Sequence, residues 1–196
     1  MDSERKDGHS NPHRKAEGSY IEDPNHQGSF KVPVNALNII WGNDPRFWQV
    51  INLSEEETKL TGFKDGAVLL QVNWTEVTGK VSTNAFKMVA PASKYEIYYI
   101  VKFKVDAFGW HSVPIKFKVK INGKETVKSM ILESYREKND VWHEIPGGEF
   151  SVVTETTGNV AFGMFEVESD WWKGGMVLAG IKIKPKAQVI ENERRP

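Results

Sequence analysis

The chain has 196 residues, with 26 lysines and arginines against 26 aspartates and glutamates, so no overall field draws it toward phosphate backbones or anionic lipid. It contains no cysteine, which excludes disulfides, thiolate zinc sites and thiol nucleophiles together. Apolar residues make up 39% and the seven tryptophans belong to an 11% aromatic share, enough for one core with rings left over for other uses.

Residues 1–31 read as a disordered polar tail with a docking point near Tyr20 and Ile21. After the initiator only Tyr20, Ile21 and Phe30 are large and apolar, too little surface to offset the entropy of ordering. His9, His13 and His26 within it follow no metal-binding spacing. The first residues lack the apolar stretch of a secretory signal, and no run of about 18 apolar residues occurs anywhere. The expectation is therefore a cytoplasmic or nuclear address without membrane insertion.

From Val32 to Lys186 the pattern is that of one domain of short strands. Leu37 to Trp41 opens it and leads into Trp41-Gly42-Asn43-Asp44-Pro45-Arg46-Phe47-Trp48. A pyranose has an apolar C–H face and a rim of hydroxyls, so its site needs an aromatic platform beside amides, carboxylates or guanidinium groups, and this octapeptide holds all of them. The same composition also suits two core indoles with an Asp44–Arg46 clamp between them. Phe47 to Asn52 is the next strand. Ser54 to Leu60 then predicts a short helix, with Ser54 as N-cap and Glu57 completing a capping box.

Val68 to Val77 follows as a strand. Tyr95, Ile97, Tyr99, Val101, Phe103 and Val105 alternate with more polar residues, and Ile115, Phe117, Val119 and Ile121 alternate with Lys116, Lys118 and Lys120. Asn122-Gly123 predicts a tight hairpin returning through Thr126 to Leu132. Phe150 to Val153, Val160 to Val167 and Val177 to Ile183 complete about nine strands, and residues 187–196 form a charged C-terminal tail. Without alternating helices or repeats, the fold class is all-β, an antiparallel, jelly-roll-like β-sandwich. Between the last two strands, Ser169-Asp170-Trp171-Trp172-Lys173-Gly174-Gly175 forms a second aromatic loop close to Glu166.

Five blocks, WGNDPRFW, AVLLQVNWTEVTGKV, YIVKFKVDAFGW, VWHEIPGGEF and MFEVESDWWKGGMVLAGIKIKP, resemble in order the phloem protein 2 and Nictaba-like lectin family, over about Ala36 to Pro185. The resemblance implies a single β-sandwich that binds N-acetylglucosamine oligomers and N-glycan cores of glycoproteins, is found in cytoplasm, nucleus or phloem, and is often a homodimer. It also places Trp41, Trp48 and Glu166 on family positions implicated in sugar binding. A second family glutamate falls on Asn159 here, and no F-box is recognisable. The predicted carbohydrate site is Trp41, Asn43, Asp44, Trp48, Glu166, Trp171, Trp172 and Lys173, with no cofactor or metal required.

Two other readings stand beside it. Glu144, Glu149, Glu166 and Glu168 include enough carboxylates for a glycosidase pair, but no nucleophile elbow, phosphate loop or paired metal motif accompanies them. Lys116, Lys118 and Lys120, continued by Lys102 and Lys104, form either a solvated sheet face or a stripe for weak RNA binding.

Overall fold

The computed structural model describes residues 11–87 and 94–186, and all statements of structure concern these. The alternation around residue 99 becomes the longest strand, β7 (Lys94–Phe108), with Tyr95, Ile97, Tyr99, Val101 and Phe103 buried. Its neighbour along most of its length is β12 (Gly174–Pro185), and on the other side it pairs with β10 (Trp142–Ser151). The far edge of β12 is shared. Its second half pairs with β2 (Phe30–Pro33), which carries the short β1 (Ile21–Glu22), while its first half pairs with β5 (Asp65–Leu69), followed by β4 (Trp48–Asn52). These seven strands form one antiparallel sheet.

The second sheet has the order β3-β6-β11-β8-β9, with β3 (Asn38–Ile39), β6 (Thr75–Ser82), β11 (Asn159–Glu166), β8 (Ile115–Ile121) and β9 (Lys124–Met130). Val77, Val81, Val160, Phe162, Met164, Ile115 and Phe117 point inward and meet the inner face of the larger sheet in one core. The protein is thus an all-β antiparallel sandwich. Asn122 and Gly123 take φ of 51° and 74°, the paired positive values that a two-residue hairpin between β8 and β9 needs.

A smaller apolar cluster lies on the outside of the seven-stranded sheet. Leu53 and Phe63, which flank α1 (Glu55–Thr61), cover Val68, Ile100, Val177 and Ala179 there. The helix begins with the predicted capping box, the Ser54 hydroxyl accepting from the Glu57 N–H and the Glu57 carboxylate from the Ser54 N–H, and ends on Gly62 at φ 80°. Two further short helices are α2 (Thr83–Lys87) and α3 (Glu133–Glu137).

Three expectations are corrected. Residues 11–31, expected in the disordered tail, lie along the sandwich: Arg14 bridges Ile39, Glu17 and Gly18 donate to the Asn35 carbonyl, and Ile21–Glu22 pairs with β2. Backbone hydrogen bonds hold this stretch, so its low hydrophobicity misled. Residues 1–10 and the expected tail over 187–196 lie outside the described residues. The single strand expected over Val68 to Val77 is two, because the chain leaves one sheet after Leu69 and enters the other at Thr75. The lysine stripe does not run on from Lys116, Lys118 and Lys120 to Lys102 and Lys104, since β8 and β7 belong to different sheets and Lys102 is paired with Glu57 beneath Trp142.

Candidate functional site

Four loops meet at one end of the sandwich: residues 40–47, 70–74, 109–114 and 167–173. Hydrogen bonds tie them together, two links through the backbone and one through an indole. Leu70 N–H donates to the Phe47 carbonyl at 2.8 Å, Val72 and Lys173 exchange a pair of bonds at 2.9 Å, and the indole N–H of buried Trp110 donates to the Gly174 carbonyl at 2.9 Å. Gly109, at φ 83°, passes so close to the neighbouring loop that an added Cβ would fall 2.1 Å from the Trp172 carbonyl oxygen. Only glycine allows that approach.

The 167–173 loop is closed from within. Lys173 is fully buried, and its Nζ donates to Glu166 Oε2 at 2.7 Å and to the Trp171 carbonyl at 3.0 Å. The other oxygen of Glu166, also buried, accepts from the Ser169 hydroxyl at 2.8 Å and the Ser169 N–H at 3.2 Å. Burial of two opposite charges is tolerable because each finds its partner and further hydrogen bonds. The result is that Trp171 and Trp172 stand outside, 42% and 45% exposed, on a loop whose base is immobilised. The His111 ring meets Trp171 edge-on at 5.7 Å between centroids.

The 40–47 loop is knotted instead to the N-terminal stretch. Trp41 takes φ 64°, an uncommon conformation for a bulky residue. It is held there by its N–H donating to His13 Nδ1 at 3.0 Å and by ring contacts with His13 and Phe47 at 4.8 and 5.8 Å. Asn43 spends its amide on the Asn11 and His13 carbonyls, both at 3.1 Å. Arg46 clamps Asp44 through two bonds of 3.0 and 2.7 Å, and the guanidinium holds that carboxyl below the usual carboxylate range.

The family model for phloem protein 2 matches residues 27–185, nearly the whole described domain. The chain belongs to the phloem protein 2 family. Similar relatives from Arabidopsis thaliana are Protein PHLOEM PROTEIN 2-LIKE A5, 28% identical over 80% of this chain and 37% of its own length, and Protein PHLOEM PROTEIN 2-LIKE A2, 37% identical over 61% of this chain and 60% of its own. This chain thus spans less than two thirds of either relative. A solved xylan-binding CBM22-1 domain from Paenibacillus barcinonensis Xyn10C, 15% identical over 83% of this chain and 94% of that one, superposes with a TM-score of 0.40, too distant to carry an argument.

Within this phloem protein 2 domain the eight predicted site residues separate into groups. Trp48 is 2% exposed and belongs to the core, so it offers no platform; as the first residue of β4 it is drawn inward by register with Leu69. Glu166 and Lys173 are buried and bonded to each other, which corrects their expected place among the sugar contacts. Trp41 is half-buried under His13, and Asn43 and Asp44 are engaged in holding the loop. Of the four tryptophans among them, Trp171 and Trp172 alone stand well exposed.

Sequence reasoning overlooked Trp74. It is 42% exposed, its indole N–H donates to Glu76 at 2.9 Å, and it lies two residues beyond Val72 while Trp171 lies two residues before Val72's partner Lys173. The signal was available, since an indole beside Asn73 inside a supposed ten-residue strand marks a sheet change.

The four carboxylates considered for glycoside chemistry each face a lysine. Burial pushes the Glu144 carboxyl up, but Lys184 and Lys182 outweigh it and hold it low; Lys186 does the same for Glu149 and Lys116 for Glu168, while Glu166 is bound to Lys173. A glycosidase general acid needs a raised value, the opposite of the direction at Glu144, Glu149 and Glu168. Among the described residues no group of three potential metal ligands occurs.

Proposed function

We propose that this phloem protein 2 domain is a non-catalytic lectin for N-acetylglucosamine oligomers and glycoproteins that display them, acting in the cytoplasm or nucleus. Trp171 and Trp172 are the stacking surfaces, with Trp74 on the adjoining loop and Trp41 contributing its open edge. Glu166 and Lys173 orient the tryptophan loop and do not touch the sugar. The observation that carries the reading is the outward display of two adjacent indoles on a loop whose base is an enclosed ion pair. An exposed ring of this kind costs hydration unless it receives an apolar face, and pre-ordering removes most of the entropic penalty of binding one.

Calorimetric titration with chitobiose, chitotriose and chitotetraose tests it. Affinity is expected to rise with length, and Trp171→Ala or Trp172→Ala to weaken chitotriose about fivefold each, from the loss of about 1 kcal/mol of stacking, with melting temperature unchanged. Absence of heat at millimolar chitotriose in the folded protein overturns the reading.

A further inference from the structure

The outward face of the five-stranded sheet carries a trough that a neutral-sugar site at the loop end does not use. Its shape follows from register. Thr78, Gly163 and Lys118 stand abreast across β6, β11 and β8, and the next outward row is Lys80, Ala161 and Lys120. Adjacent strands lie about 4.8 Å apart, so the two walls stand about 10 Å from each other. The trough between them holds about 300 Å³.

Phe165 closes one end in an unusual posture. A Cβ on Gly163 would lie 2.6 Å from Cε2 of this ring, so the ring reclines along the strand over the glycine instead of standing away from the sheet. Lys118 Nζ lies over this ring, 4.7 Å from its centroid, so the apolar platform is bared when a bound carboxylate draws that lysine aside. The neighbouring lysine, Lys116, is paired with Glu168. Lys80, Lys118 and Lys120 form no ion pair with any carboxylate of the described residues, though Glu125 stands opposite Lys120 across the β8–β9 ladder. On the far wall, Thr78 and Asn38 offer a hydroxyl and an amide.

We infer that this trough is a second binding site, for an acidic oligosaccharide whose uronate carboxylates pair with Lys80, Lys118 and Lys120 and whose pyranose ring lies on Phe165. A uronate supplies in one unit what the trough asks for: a C–H face for the ring, hydroxyls for Thr78 and Asn38, and a carboxylate for the lysines. Nucleic acid fits less well. Its affinity grows with the number of phosphates neutralised, and three unpaired lysines and one ring in a chain of zero net charge supply little of that.

The test is calorimetric titration of the whole chain with trigalacturonate, with chitotriose and with a short oligouridylate. Trigalacturonate is expected to bind, to weaken about tenfold or more in the Lys118→Gln, Lys120→Gln double variant as charge-assisted bonds are lost, to weaken in Phe165→Leu, and to be indifferent to Trp171→Ala. Chitotriose should show the opposite dependence. If chitotriose fails while trigalacturonate binds as described, the loop-end reading falls and the trough stands. The trough reading is overturned if trigalacturonate gives no heat at millimolar concentration, if its binding follows Trp171, or if oligouridylate binds more tightly through the same lysines.

Discussion

At the scale of single residues, the enclosed pair between Glu166 and Lys173 separates display from support. Lys173 looks on paper like a solvated loop lysine with an acetamide within reach, yet it is the strut that lets Trp171 and Trp172 stay outside. Removing one partner of a buried pair strands the other charge, at about 3–5 kcal/mol, whereas replacing both by apolar or neutral groups of similar volume is often tolerated. Glu166→Gln is therefore expected to lower the urea midpoint sharply, and the Glu166→Gln, Lys173→Met double variant to regain most of it. A double-variant loss equal to the sum of the Glu166→Gln and Lys173→Met losses would show that the pair is not coupled. Trp48→Ala belongs with the core substitutions and is expected to be among the most damaging in the first block.

At the scale of elements, α1 is the clearest case of local chemistry dictating local structure. Ser54, Glu57 and Gly62 start and stop seven helical residues, and Leu53 and Phe63 on either side pin the turn to the outside of the larger sheet. Ser54→Ala is expected to cost about 1 kcal/mol, read as a melting temperature lowered by about 2–4 °C for a domain of this size. Trp142 and Lys102 lie beside this helix, so a larger loss would report failure of the outer cluster as well as of the cap. The segment over residues 11–18 is the opposite case. It owes its place to carbonyls and amides of residues 35–43, which no periodicity announces.

At the scale of the whole molecule, charge neutrality hides a paired surface. Lys102 hydrogen-bonded to Glu57, Arg136 to Glu133, Lys186 to Glu149 and Lys116 to Glu168 all hold carboxyls below their ordinary values, and at Glu144 Lys184 and Lys182 do so against the upward push of burial. A carboxyl whose value is depressed on folding contributes stability that is present above its unfolded value and is lost as pH falls through the folded one. Melting temperature is thus expected to be level near neutral pH and to drop below about pH 4, with a shallower drop at high salt because these pairs are solvent-accessible. A drop beginning well above that range would point to a different titrating group.

Most strand positions, though not the break after Leu69 nor the start of β10 at Trp142, were legible in the sequence, as were the Asn122-Gly123 hairpin, the capped helix and the all-β class, because each rests on contacts among residues a few places apart or on a period of two. The five family blocks could be read in order on a different ground, their residue-by-residue resemblance to the family. Tertiary structure alone decided which indoles meet water. Trp48 and Trp172 have similar local surroundings of glycine, aspartate and aromatic residues, but one begins a strand facing the opposite sheet and the other tops a loop propped by Lys173. Burial of a side chain depends on what folds over it from distant parts of the chain, and that partner, whether Leu69, His13 or Val72, is not encoded beside it.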